Sequence, residues 1–245
     1  MKKKLIMLLL AIFSMHTIAA AQEIVNVVLV GENGVTDDIK KATSFIIVKK
    51  YRGDIYERLD YKKSAPLVKL RTYNDSTLTT QDGVMYEYYP SGMIHIKGNY
   101  VNNYKEGDWN YYDEAGKLTL TEKYGQNILI ESKVPDTAQK KDSVIYGDER
   151  EADFKGGTKA FIKYLTRNIN GSVADGTRGG MVLVYFMVNT LGNTAAIYLK
   201  KSVEFILDEE ALRVIRQSPA WIPAFQNGKP VNAYRIQPIT FAKPE

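Results

Sequence analysis

Residues suited to catalysis are scarce in this sequence. Two histidines occur, His16 and His95, and cysteine is absent. His16 lies in the apolar N-terminal segment, which leaves His95 as the one imidazole available to a folded site. A single imidazole with no thiolate cannot supply the nitrogen and sulfur ligands of a zinc centre. A Ser-His-Asp triad would have to use His95, yet no nucleophile-elbow pattern surrounds it, and it reads as a surface histidine on a strand. The glycine pairs at Gly156 and Gly179 lack the lysine and hydroxyl arrangement of a phosphate loop, so they read as backbone punctuation. Carboxylates are plentiful, but sequence spacing does not bring two of them face to face as a glycosidase requires. No catalytic residue, cofactor or metal ligand stands out. A binding protein is therefore favoured over an enzyme.

The binding chemistry concentrates between Met181 and Phe241, where the order is strand, turn, strand, helix, aromatic loop and final strand. Such an order predicts a small α+β domain whose last strand lies at a sheet edge. An edge strand presents unpaired N–H and C=O groups that can take up an extended peptide. The opposite reading is an edge that is blunted and idle.

The ends and the composition place these elements. Lys2, Lys3 and Lys4 precede an apolar run from Leu5 to Phe13 and a small-residue tail, Ala19 to Ala21. This is the layout of a secretory signal peptide over residues 1–21, and it predicts a periplasmic protein. The alternative is an uncleaved segment that anchors the chain in the inner membrane. Formal net charge is +5, and without the three leading lysines thirty basic side chains face twenty-eight acidic ones. Nothing in that balance points to nucleic acid.

From Glu23 to about Ile130, short β-prone runs alternate with turn residues, as in Val25–Val30 before Gly31, Phe45–Val48, Leu67–Tyr73 and Met85–Tyr89 before Pro90. They predict an antiparallel meander over residues 22–131. Seventeen tyrosines are unevenly spread. Tyr88, Tyr89, Gly92, Gly98 and Tyr100 are answered by Tyr111, Tyr112, Gly116, Lys123 and Tyr124, an internal repeat of 23 or 24 residues. The run Gly107, Asp108, Trp109, Asn110, Tyr111, Tyr112, followed by Gly116 and Lys117, resembles the MORN-type repeat, with residues 83–92 as a less regular copy. The resemblance covers about residues 83–124. The tyrosines either pack the sheet or form a face for a partner.

Residues 132–143 are polar and read as a linker, and residues 144–245 read as a second domain. Phe161, Leu165 and Ile169 recur every four residues and predict a helix ended by Asn170 and Gly171. Ser172 to Gly180 reads as a loop. Met181–Val188 and Ala195–Leu199 flank a turn at Asn189 to Asn193, a hairpin signal. Asp208 reads as a helix N-cap, Glu209 and Glu210 as complements of the positive dipole end, and Arg213 and Arg216 as complements of the negative end. Ala211, Leu212 and Ile215 supply the buried face, and Pro219 stops the helix. Trp221 reads as a core plug. The turn from Gln226 to Pro230 delivers a last strand, Val231 to Phe241.

These residues resemble the C-terminal domain of TonB, the energy transducer of outer-membrane transport. The resemblance rests on Phe154, Gly156 and Gly157; on Gly180, Asn189 and Gly192; on Leu207, Asp208, Glu210, Ala211 and Leu212; and on Pro219, Trp221, Gly228, Lys229, Pro230 and Val231. It implies β-augmentation of the last strand, with partner contacts on Asn232, Ala233, Tyr234, Arg235, Ile236 and Gln237. The implied partner is an outer-membrane TonB-dependent receptor or another envelope protein, with pairing to a sister chain, a homodimer, as the alternative. Two departures stand out. Gly171, Ser172 and Val173 replace the Tyr-Pro pair that opens a second short helix, so that helix should be reduced or missing. With eight prolines in all and a cleavable-looking leader, the chain is not expected to carry the long proline-rich arm and inner-membrane anchor of an energy transducer. A scaffolding role for the repeats, with a dimerising C-terminal domain, is the competing expectation.

Overall fold

The computed structural model describes residues 22–51, 53–135 and 149–242. The expected signal peptide, and most of the expected linker together with Val144–Tyr146, lie outside the described residues. The first part is a single antiparallel sheet, built from β1 (Glu23–Gly31), β2 (Gly34–Thr36), β3 (Ala42–Lys50), β4 (Tyr56–Lys62), β5 (Leu67–Tyr73), β6 (Gln81–Tyr88), β7 (Ile94–Val101), β8 (Tyr104–Tyr112), β9 (Leu118–Gly125) and β10 (Ile128–Lys133). Its ten strands run in the order β10-β9-β8-β7-β6-β5-β4-β3-β1-β2, so nearly every strand pairs with its sequence neighbour. The meander is what short β-branched and aromatic runs between tight turns dictate.

The internal repeat is a structural period of 24 residues, seen in two turn types. The turns Tyr89–Met93 and Asp113–Lys117 close with the same hydrogen bonds, from Tyr89 N–H to the Met93 carbonyl (2.8 Å) and from Asp113 N–H to the Lys117 carbonyl (3.0 Å). On the opposite rim, Asn103 Oδ1 accepts from Gln81 N–H (2.7 Å) and Asn127 Oδ1 from Lys105 N–H (2.6 Å). Trp109 is buried between Tyr100 and Tyr124, with ring centroids 5.2 and 6.1 Å away. Gly98 makes room for that indole, since a Cβ there would stand 2.4 Å from the ring. Trp109 and many of the tyrosines thus pack on the sheet, the more conservative of the two expectations.

The second part contains α1 (Gly157–Asn168), a 3-10 turn (Gly171–Ala174), β11 (Gly180–Val188), β12 (Thr194–Lys201), α2 (Phe205–Arg216), the short pair β13 (Ala224–Gln226) and β14 (Lys229–Val231), and β15 (Ala233–Phe241). The order β12-β11-β15 makes a small antiparallel sheet of three strands. Val182, Val184, Phe186 and Val188 are fully buried on its helix-covered face, alternating with residues of the other face as a half-covered strand requires. They join Leu207, Ala211, Val214 and Ile215 of α2 and Phe161 and Leu165 of α1 in one core. Each such side chain contributes about 1.5–3 kcal/mol by leaving water. Trp221 plugs this core, 4.8 Å from the Phe161 ring and 5.3 Å from that of Phe186.

Three sequence expectations need correction. The final strand is broken: Lys229–Val231 turns back to pair with Ala224–Gln226, and the nine-residue strand begins only at Ala233. Asp208 is not an N-cap, because α2 starts three residues earlier, at Phe205, after Glu204. Phe205 and Leu207 are buried and need helical geometry to reach the core, which draws the start forward. Ser172 to Gly180 is not wholly a loop, since a 3-10 turn capped by the Asn170 side chain occupies its first residues. That turn stands where the resemblance led one to expect a reduced second helix.

Candidate functional site

The two parts share a core. Ile47, Leu59, Tyr61, Leu67, Tyr86, Tyr88 and Ile94 of the large sheet belong to the same buried cluster as α2, β11 and β12. Polar contacts fix the seam. Tyr88 donates to the Leu199 carbonyl (2.9 Å), and Ser202 N–H donates to the carbonyl of Gly92 (2.9 Å). Gly92 has φ 85°, and a Cβ on it would lie 2.1 Å from the Ser202 oxygen, so only glycine permits this approach.

The centre of the seam is Asp208, fully buried in the first turn of α2. Its carboxylate accepts from Ser202 Oγ (2.5 Å), Tyr61 Oη (3.0 Å) and Val203 N–H (2.9 Å), while Ser202 Oγ accepts from Leu67 N–H (2.8 Å). Burial pushes the Asp208 carboxyl up to about 7, against the pull of those hydrogen bonds. The same burial, together with the Asp208 charge, holds the Tyr61 phenol well above its ordinary value. Next to it, Glu209 meets Lys49 at 2.5 Å, both almost fully buried. Glu210 accepts from Arg213 and from Asn170 N–H (2.6 Å). Asp208 and Glu209, two acidic residues that suit a helix dipole, are therefore spent on the large sheet, a use invisible without the fold.

The free edge lies at the far side. β15 pairs with β11 in unbroken register from Ala233↔Val188 to Phe241↔Gly180, and among the described residues no strand pairs with its other side. Pro238 has no N–H, and an edge strand tolerates proline where the nitrogen faces away from the partner. Its carbonyl is taken by the Gln237 side-chain amide (2.8 Å), in keeping with an outward direction. Backbone direction alternates along a strand, so Tyr234, Ile236 and Thr240 turn their N–H and C=O groups outward with Pro238. Their side chains are also exposed, Tyr234 at 62% and Ile236 at 46%. The alternate residues face the helices, and Arg235 lies over the Trp221 ring, 5.7 Å from guanidinium to centroid.

Along the outer side of β15 runs a groove of about 510 Å³ between Ile162, Leu165 and Ile169 on one wall and Pro238, Ile239 and Thr240 on the other. On the opposite face, Tyr234 stacks on Tyr185 (5.5 Å), Tyr185 lies against Tyr198 (4.7 Å), and Tyr198 stacks on Tyr86 (5.2 Å). This row of rings ties the edge to the large sheet. Lys97 sits 4.4 Å over the Tyr198 ring, and burial lowers its ammonium from the ordinary value.

The C-terminal end of the chain thus presents an edge strand after a hairpin and a helix, with a tryptophan beneath it. Residues 174–242 match the Gram-negative bacterial TonB protein C-terminal family. The TonB-like segment thus runs from the 3-10 turn to the end of β15 and leaves the meander and α1 unmatched. No curated protein and no solved structure gave a significant match. The resemblance read from the sequence holds for this TonB-like segment, whereas no family match covers the tyrosine-rich repeats.

Of the residues proposed for partner contact, Ala233, Tyr234, Arg235, Ile236 and Gln237 open β15, and Asn232 sits in the break before it. Tyr234 and Ile236 point to the open face, Ala233, Arg235 and Gln237 to the helix side. The groove lies beside the other half of the strand, and residues Ile162 and Leu165 of its helix wall had no signal beyond an apolar helix face. His95 lies on β7, half-buried against the Tyr89 ring at 4.3 Å. Among the described residues no three acidic or imidazole side chains cluster as metal ligands, and no helix is long and apolar enough to cross a membrane.

Proposed function

We propose that this protein is a non-catalytic docking module of the cell envelope that captures an extended segment of a partner by adding it as a strand beside β15. One observation carries the reading: the TonB-like segment presents a nine-residue edge strand, evenly paired on one side and unpaired among the described residues on the other. Main-chain hydrogen bonds to Tyr234, Ile236 and Thr240 supply affinity, and alternate side chains of the guest reach the Tyr234–Ile236 face and the groove under Ile162 and Ile169. The partner of this reading is an outer-membrane TonB-dependent receptor or another envelope protein, met in the periplasm. Pro238 blunts the middle of the edge. A guest strand therefore skips one donor there, which favours a short docking segment over a long one.

The meander is a fixed support in this reading. Its 24-residue period supports the MORN-type likeness, and its shared core with α2 supports a rigid mount for the docking edge. Titrating TonB-box-type peptides into the whole mature chain tests the proposal, with Tyr234 as the reporter by nuclear magnetic resonance. Shifts confined to β15 and α1 are expected. Saturating peptide without any shift on β15 would remove receptor docking and leave the scaffolding role of the repeats.

A further inference from the structure

The opposite end of the molecule carries a second edge. β10 is the outermost strand of the large sheet, and every one of its six residues is exposed. Three consecutive aliphatics lie there in the open, Ile128 at 69%, Leu129 at 48% and Ile130 at 64%, with Val134 at 78% just beyond. A folded protein rarely leaves an apolar edge strand bare, because its unpaired backbone is a template for another strand.

The sequence of this edge says which strand fits. Read antiparallel about Ser132, the segment is its own complement: Glu131 falls opposite Lys133 of a second copy and Lys133 opposite Glu131, flanked by Ile130, where β10 bulges in its pairing with β9, and by Val134 just beyond the strand. Opposite charges face each other twice, and exposed aliphatic side chains lie at both ends of the pairing. Within one chain Lys133 already reaches Glu131 at 2.8 Å, so both side chains lie where a crossing strand would meet them. Pro135 has no N–H to offer and ends the run. We propose that two copies of this chain associate edge to edge through β10, two-fold about Ser132, joining their large sheets into one. This contact is distinct from a dimer made by the C-terminal segment, and it leaves both β15 edges free.

A five-residue pairing buries little surface, so the association is weak and depends on concentration. The register makes a sharp test by sedimentation of the full mature chain at low salt. Glu131→Lys and Lys133→Glu each place like charges opposite one another twice, and each should weaken association about tenfold. The double variant, Glu131→Lys with Lys133→Glu, restores both pairs and should recover the wild-type constant. These side chains are exposed, so the variants keep the fold. A chain that stays monomeric to the highest concentration reached, or single swaps without effect, overturns the proposal. A double swap as weak as the single ones overturns the register. Ile130→Lys gives an independent arm, and it should abolish association without changing peptide binding at β15.

Discussion

Replacing Asp208 with asparagine should stabilise the protein at neutral pH. Asparagine keeps the size and the oxygen that accepts from Val203 N–H, while the oxygen that accepts from both Ser202 Oγ and Tyr61 Oη becomes an amide NH2 that can donate to the two hydroxyl oxygens, so the polar contacts of the seam survive with two of them reversed. What it removes is a buried charge. The Asp208 carboxyl is pushed from 3.8 in the open chain to about 7 in the folded one. A carboxyl raised on folding takes up a proton as the chain folds, so its stabilising share is complete below the open-chain value and is lost as pH rises from about 4 to about 7. That rise corresponds to roughly 4 kcal/mol as an upper bound. Urea unfolding of both proteins across that range is the assay. The difference between Asp208→Asn and wild type should be small near pH 4, grow through neutrality and level off near pH 8. A variant that is less stable than wild type at pH 8, or a difference that does not change with pH, would refute the reasoning and mean that the three hydrogen bonds keep Asp208 ionised.

Ile236→Pro should abolish peptide docking with the fold intact, because Ile236 directs its N–H to the free edge, whereas Arg235→Pro should disrupt the β11 ladder; thermal melts beside peptide titrations separate the two. Gly92→Ala should cost about 2–3 kcal/mol, since the added methyl meets the Ser202 oxygen and the backbone is left-handed there. Lys49→Met leaves Glu209 buried without its cation and should lose about 3–5 kcal/mol in denaturant unfolding, most of which Lys49→Met combined with Glu209→Leu should recover.

The meander and the hairpin of β11 and β12 were legible because strand periodicity and turn residues are local signals. So was the helix face of Phe161 and Leu165. The seam was not, because Tyr61 and Asp208 are 147 residues apart, and nothing local distinguishes a carboxylate that caps a helix from one that enters another sheet. Glu209 reads the same way whether it faces solvent or Lys49. The break at Asn232 escaped because Val231 and Ala233 suit a continuous strand equally well. The edge position of β15 could be read from its place at the end of the chain, but its exposed half could not, since that depends on the direction of Pro238.

The two edges of the small sheet are treated differently. β12 meets the large sheet through the bridge between Met93 and Lys201 and through Ser202, while no strand among the described residues pairs with the outer side of β15. A sheet stopped at one end can grow by addition at the other end only. Within the small sheet, a strand captured as proposed can therefore add beside β15 only, and the contact of β12 with the large sheet sets the stoichiometry of that capture at one.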